Sequence, residues 1–381
     1  MKSLVLYAYP AETDGLSLQG DMLYRGVKEN GEKVMPCHWQ SSLQKEWIYK
    51  TFQPDVALGV GSWGYTPDLI LHPQEFGVQP VPWLVADGWV ANYHDIISSL
   101  PLVFVTSDWV RQTYERDGVE TKNFVTAPIG VEPDFFKPIS KSDPAVQNLR
   151  RMFGVAEDEK LILTIGGDVT SKGAQEVFKA LAKIDREFPK WKYICKAWEE
   201  EEERDHAQEE IELIEELGLD KGKITFVAGS YSREFMPALL NAADVYAAPS
   251  RLEGYGMIQV EAMACGIPVV SIDAMGPKET IIHGKTGLLA RVDHTIDLES
   301  EIIYPEMGFK KQGRIVFDEP KTFAYRANVN DLAEHLLLLL TNTERRAEIG
   351  RVAREHTIQN FHYRDLARQM TQTIKDRLHL S

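Results

Sequence analysis

Cysteine is scarce in this chain. Cys37, Cys195 and Cys265 are the only three in 381 residues, too scattered and odd in number for a disulfide framework or a clustered metal site. They are expected to be small buried apolar residues in a reducing compartment. Positive charge is also in deficit, with 42 Lys and Arg against 57 Asp and Glu and a formal net charge of -15. Without a Lys/Arg run, an acidic chain is repelled by nucleic acid and by anionic lipid, so neither is an expected partner. Long hydrophobic runs are absent as well. Met1 to Pro10 is too short for a signal segment and reads as a first strand, and Leu336 to Leu340 lies inside an amphipathic pattern that cannot span a bilayer. A soluble cytoplasmic protein with no transmembrane segment is the expectation. The acidic stretch Glu199 to Asp205 reads as a solvated helix start, because a metal cage needs ligands converging from several directions.

The length exceeds that of a usual single core, so two domains are expected. From Leu161 onward short apolar runs alternate with amphipathic stretches. Leu161 to Ile165, Tyr193 to Cys195, Ile224 to Ala228, Val245 to Ala248 and Val269 to Ile272 read as strands. Such alternation implies parallel βαβ units in a doubly wound sheet, where ligands sit at the carboxyl ends of strands. The N-terminal half repeats the pattern less regularly, with candidate strands Val5 to Tyr9, Val56 to Val60, Trp83 to Ala86, Leu102 to Thr106 and Asn123 to Ala127. A polar stretch from Ser140 to Pro144 marks a hinge. Residues 291 to 326 read as an irregular insertion, of a length that tends to be functional or to cover an interface.

The richest stretch is Pro249 to Pro268. Val245 to Ala248 reads as a buried strand, Gly254 and Gly256 permit a tight backbone course, and Gly266 with Pro268 stops the intervening helix. Glu253 precedes that helix and Glu261 lies within it. Free amides of a helix's first turn attract phosphate, and carboxylates accept bonds from hydroxyls. The loop therefore suits a ligand with phosphate at one end and hydroxyls at the other. Gly166-Gly167 and Lys172-Gly173 follow another strand end, where a Lys172 ammonium could reach a diphosphate.

The string Pro249-Ser250, Glu253-Gly254-Tyr255-Gly256, Glu261-Ala262-Met263-Ala264 and Gly266-Ile267-Pro268-Val269-Val270 resembles the E-x7-E signature of retaining glycosyltransferase family 4. The resemblance implies a GT-B fold, two Rossmann-like doubly wound domains facing a central cleft. Residues 1–140 would form the acceptor-side domain, joined by a returning helix within 361–381, and 141–360 the nucleotide-sugar-binding domain. It implies a nucleoside diphosphate sugar as donor, held by Gly15, Gly166, Gly167, Lys172, Glu253, Gly254, Tyr255, Gly256, Met257 and Glu261. Catalytic roles fall to Glu253, Lys172 and Asp87, with Glu253 touching only the transferred sugar and Glu261 the ribose. Asp87, in Val85-Ala86-Asp87-Gly88, stands about where the family has a sugar-contacting His, and His94 is the other candidate. The family usually has Arg after the first glycine of the phosphate loop. Gly167 and Asp168 stand here instead, leaving Lys172 with Arg251 or Lys278 as possible helpers.

No cofactor or metal site is expected, since the D-x-D pattern of the other glycosyltransferase fold is absent from the sequence. Trp63 and Trp89 are the tryptophans placed to stack on an acceptor sugar, although core packing is their ordinary role. The acceptor is expected to be soluble; its identity and the oligomeric state are not legible. Alternatives in the same crevice are a sugar-nucleotide epimerase, a GT-B phosphorylase, or a catalytically silent sugar-nucleotide-binding protein.

Overall fold

The computed structural model describes residues 1–86, 88–166, 169–197 and 201–380, apart from the side chains of 201–207 and 306. Asp87, Gly167, Asp168 and the acidic stretch from Glu199 to Asp205 therefore fall, wholly or in their side chains, outside the described residues. Packing divides the chain into two compact units. The first comprises Met1–Gly130, Asp297–Phe323 and Phe361–Ser381, and the second Val131–Ile296 and Ala324–Asn360.

In the first unit, strands β1 (Lys2–Tyr7), β2 (Lys33–His38), β3 (Val56–Ser62), β4 (Gln79–Pro80), β5 (Trp83–Val85), β6 (Val103–Val105) and β7 (Phe124–Thr126) form one sheet. Its order is β2-β1-β3-β5-β6-β7, with β4 beside β3, and the recorded pairings are parallel. Leu4, Val5 and Leu6 are fully buried, as in a strand covered on both faces. Gly15 does not sit in a loop: it is the first residue of the Gly15–Glu29 helix, whose start is fixed by the Asp14 side chain accepting from the Ser17 amide at 3.0 Å. The C-terminal helix Tyr363–Leu378 packs within this unit, and its Tyr363 hydroxyl donates to Glu29 at 2.6 Å.

In the second unit, β8 (Lys160–Ile165), β9 (Trp191–Ala197), β10 (Ile224–Ala228), β11 (Val245–Ala247), β12 (Val269–Ile272) and β13 (Gly287–Ala290) run parallel in the order β10-β9-β8-β11-β12-β13. Numbered within the unit, that order is 3-2-1-4-5-6, which reverses direction between β8 and β11. A doubly wound sheet binds its ligand beyond the carboxyl ends of the strands at that reversal. The loops after β8 and β11 lie at that reversal.

The segment expected to be irregular is a long two-stranded ribbon, β14 (Val292–Ile303) and β15 (Gly313–Ala327). Its stems belong to the second unit, whereas residues 297–323 pack within the first. The division also falls at Gly130/Val131, ahead of the expected hinge. The apolar partner of the ribbon is visible: Phe317 packs edge-on against Trp89, with ring centroids 5.4 Å apart. The strand-forming alternation of β14 and β15 is satisfied by that contact rather than by either sheet. Among the described residues no helix is long and apolar enough to cross a membrane.

Candidate functional site

The loop after β8 and the loop after β11 are tied together by backbone. The Arg251 amide donates to the Ser171 carbonyl at 2.8 Å. Gly173, with φ +83°, brings the first loop so close that a Cβ there would lie 2.3 Å from the Pro249 carbonyl oxygen. Only glycine satisfies both conditions. Lys172 is thereby presented beside Glu253, and its Nζ lies 2.6 Å from the Glu253 carboxylate. The other oxygen of that carboxylate accepts from the Gly256 amide at 3.0 Å, one residue before the Met257–Ala264 helix. One carboxylate thus bridges an ammonium and an amide that leads into a helix start, both groups that attract anions.

Within the protein the Glu253 carboxylate, expected to touch the transferred sugar, is engaged by Lys172 and the Gly256 amide. Its charge neutralises Lys172, with side-chain exposures of 18% and 25% respectively. Gly254, Tyr255 and Gly256 form the loop itself. Tyr255 is buried and the Glu253 carbonyl accepts from the Gly276 amide at 3.1 Å, so the loop is held from behind. Gly256 has φ +96°, a course that lets the chain turn directly into the helix. Gly166 closes β8, and its amide donates to the Lys196 carbonyl at 3.0 Å.

Glu261 lies one turn into the same helix and is 7% exposed. Burial pushes its carboxyl up to about 8, the Arg233 guanidinium opposes that rise, and Glu132 adds to it. At neutral pH the group is mostly protonated, able to donate as well as accept. Arg233 itself pairs with Glu132 and lies over the Phe135 ring, 4.6 Å from its centroid. Sequence reasoning missed this Glu132–Arg233 pair, because no local motif connects residues so far apart along the chain. The buried Tyr246 hydroxyl donates to the Ile165 carbonyl at 3.1 Å, and it is raised by burial, then by the charges of Glu253 and Glu261.

The two possible helper cations both meet carboxylates within the protein. Arg251 donates to Gln175 at 2.8 Å and pairs with the buried Glu176 at 3.1 Å. Lys278 pairs with Asp273 at 3.4 Å on the exposed surface. A buried Arg–Glu pair of this kind is a fixed structural element. Lys172 is the signature cation that these loops bring to Glu253.

In the first unit, Asp87 lies outside the described residues, and its role rests on the resemblance alone. The following loop is firmly held. The Asp117 side chain is inaccessible to solvent; burial pushes its carboxyl up, yet bonds from Arg116, Lys321 and the Val90 amide hold it below the usual range. The Trp63 indole donates to the Trp89 carbonyl at 2.9 Å, and Trp63 is only 7% exposed. Trp89 packs between Trp63 and Phe317. Both tryptophans are thus engaged in packing, Trp63 almost entirely. The His94 ring meets the Val90 carbonyl at 3.1 Å. Gly15 is exposed at its helix start. The three cysteines are all buried and free.

The family described as "Glycosyl transferases group 1" matches residues 146–304. The D-inositol 3-phosphate glycosyltransferase of Corynebacterium jeikeium is 30% identical over 199 residues, 51% of this chain and 46% of that protein. Its counterpart in Mycobacterium bovis is 28% identical over 188 residues, 49% of this chain and 37% of that protein. The matched stretch thus spans less than half the length of these relatives. Among solved structures, a sucrose-phosphate synthase from Thermosynechococcus elongatus superposes with TM-score 0.76 at 18% identity, covering 100% of both chains. Anabaena HepE, crystallised with UDP and glucose, gives 0.73 at 16% identity, covering 99% of this chain and 100% of that one. Likeness at such low identity concerns the fold, which is GT-B.

Proposed function

We propose, from the premise that this chain is of the glycosyltransferase family 4 type and belongs to the group 1 glycosyltransferases through residues 146–304, that it transfers a hexose from a nucleoside diphosphate sugar to an acceptor hydroxyl with retention of configuration and without a metal. The observation that carries the reading is the bridge from Lys172 through Glu253 to the Gly256 amide, at the strand-order reversal between β8 and β11.

On this reading the diphosphate takes the Lys172 ammonium and the amides of Gly256 and Met257. Charge developing on the leaving phosphate is then met by groups already aimed at it, the largest single source of rate in such transfers. Glu253, released from Lys172, accepts bonds from the sugar hydroxyls. Glu261, largely protonated, both accepts from and donates to ribose hydroxyls. No protein nucleophile is needed, because the leaving phosphate can take the acceptor's proton as the new bond forms. The acceptor is proposed to be a soluble hydroxyl compound and the protein cytoplasmic, which accords with the net charge of -15.

The test is a thermal-shift panel of nucleoside diphosphate sugars headed by UDP-glucose, which raises the apparent melting temperature if the folded state binds it. Hits are then assayed for transfer to soluble acceptors, with product anomeric configuration read by NMR. Binding and transfer with retention, unaffected by a chelator, are expected. Donor consumption without an acceptor would instead indicate epimerisation, and tight binding with no turnover a silent sensor.

A further inference from the structure

We infer that the ribbon of β14 and β15 walls the acceptor side of the first unit and restricts the acceptor to a monosaccharide-sized hydroxyl compound. The inference rests on the reading under Proposed function and adds to it the size class of the acceptor.

The first sheet, ordered β2-β1-β3-β5-β6-β7, reverses direction between β1 and β3. Its ligand crevice therefore lies beyond the carboxyl ends of the strands at that point. On the β3 and β5 side those ends lead into the Trp63–Tyr65 turn and the segment 88–93. The ribbon sits on both. Its far end, the Pro305–Met307 turn, packs against the Trp63–Tyr65 turn, and Met307 joins the apolar cluster that contains Trp63. The Asn92 side chain donates to the Met307 carbonyl at 3.2 Å. At Gly308, with φ +82°, a Cβ would collide with the Tyr93 hydroxyl, so glycine permits the approach. Further along β15, Phe317 meets Trp89, and Lys321 lies over the Phe317 ring at 5.0 Å from its centroid. Lys321 also pairs with Asp117, which accepts from the Val90 amide at 2.6 Å.

These contacts fill, from the protein's own chain, the ground that a longer acceptor would use. Trp89 is the half-buried tryptophan at this edge, a surface on which a further sugar ring could pack, and Trp63 and Phe317 already press against it. The space left among Gly88, Trp89, Leu298, Phe317 and Phe323 is about 10 Å³, enough for one water and not for a sugar ring. An acceptor that continued past its reacting hydroxyl along the ends of β3 and β5 would have to displace Met307 and Phe317. One that stopped there would not.

The test uses acceptors of graded length, glycerol, glucose and galactose against maltose, maltotriose and maltoheptaose, with the donor that binds tightest. For the wild type, kcat/KM should be highest for one of the three small compounds and fall with every added ring. A variant in which an Asn-Gly turn replaces residues 304–312 joins Ile303 to Gly313, which already lie side by side, and removes the Pro305–Met307 turn. Its kcat/KM for maltotriose, relative to that for the best small acceptor, should rise about tenfold or more, while calorimetric donor affinity stays at the wild-type value. A change in that ratio is what general damage to the fold would not produce, since damage lowers every acceptor alike. A wild type that prefers maltotriose or maltoheptaose overturns the inference without any variant. So does a folded, donor-binding variant with the wild-type length preference. Donor binding by the wild type without transfer to any of the six would sink the transferase reading instead.

Discussion

The Lys172–Glu253 pair makes a counterintuitive prediction: removing the Glu253 charge should tighten binding of the nucleoside diphosphate while abolishing transfer. To engage a diphosphate, Lys172 must leave a carboxylate 2.6 Å away. Side-chain exposures of 25% and 18% place the pair between a surface ion pair, worth about 0.2 to 1 kcal/mol, and a charged hydrogen bond in the interior, worth about 1.5 to 3. About 1 kcal/mol is a reasonable intermediate, so Glu253→Gln should bind the diphosphate about fivefold tighter. The same variant should lose transfer, since the sugar loses its acceptor carboxylate. Isothermal titration of wild type, Glu253→Gln, Lys172→Ala and the double variant completes a cycle that isolates the pair from simple repulsion between Glu253 and the phosphates. The gain should vanish when Lys172 is already gone. A gain that persists in the Lys172→Ala background, or no gain at all, refutes the pairing argument.

Other outcomes follow from the same geometry. Lys172→Ala alone should weaken diphosphate binding by about 1.5 to 3 kcal/mol; unchanged calorimetric affinity would remove Lys172 from the site. Glu261 has a folded-state value raised to about 8, so its contribution is complete below the unfolded value of 4.5 and is lost as pH rises toward 8. Relative to Glu261→Gln, the wild type should therefore lose up to about 4 kcal/mol across that window, and parallel urea-denaturation curves of the two proteins from pH 5 to 8 would contradict it. Gly173→Ala adds a Cβ 2.3 Å from the Pro249 carbonyl oxygen at φ +83°, and a cost of at least 1 to 3 kcal/mol with loss of nucleotide binding is expected. A variant that keeps wild-type stability and affinity would show that the two loops are not locked there. Asp117→Ala strips the Val90 amide, Arg116 and Lys321 of their common acceptor and should cost about 2 to 4 kcal/mol in urea denaturation. A loss below about 0.5 kcal/mol, the ordinary effect of a surface change, would deny that loop its anchor.

Five strands of the second unit were legible because each is a short apolar run between amphipathic helices, and β8, β9, β10, β11 and β12 all fall on expected segments. Strands β2, β4 and β13 were not. Lys33–His38 contains Pro36, which argues against a central strand, but β2 lies at the sheet's edge, where a missing donor costs nothing. β4, with Pro80, is likewise off the main path. β13 is a four-residue edge strand that opens on glycine. The ribbon carried a period-two signal in Ile296, Leu298, Ile302, Ile315 and Phe317, masked by the acidic residues interleaved with it. Its partner, Trp89, lies some two hundred residues earlier.

At the site, the E-x7-E string showed which groups belong to the β11 loop. It could not show that Lys172 and Glu253 neutralise each other, because that depends on Gly173 bringing two loops together across the sheet. Nor could spacing reveal the Glu132–Arg233 pair that faces Glu261, since such contacts exist only after the chain has folded. Nor does the sequence show that Arg251 pairs with Glu176, since Arg251 lies in a loop and Glu176 in a distant helix.

On the proposed reading the loops after β8 and β11 together hold a nucleoside diphosphate. The most direct test is a TROSY titration of the protein labelled with 15N-glycine and 15N-methionine, using the nucleoside diphosphate that binds tightest. The amides of Gly166, Gly173, Gly256 and Met257 should shift together along one binding curve. Saturable binding that leaves those four unmoved while shifting other glycines would contradict it.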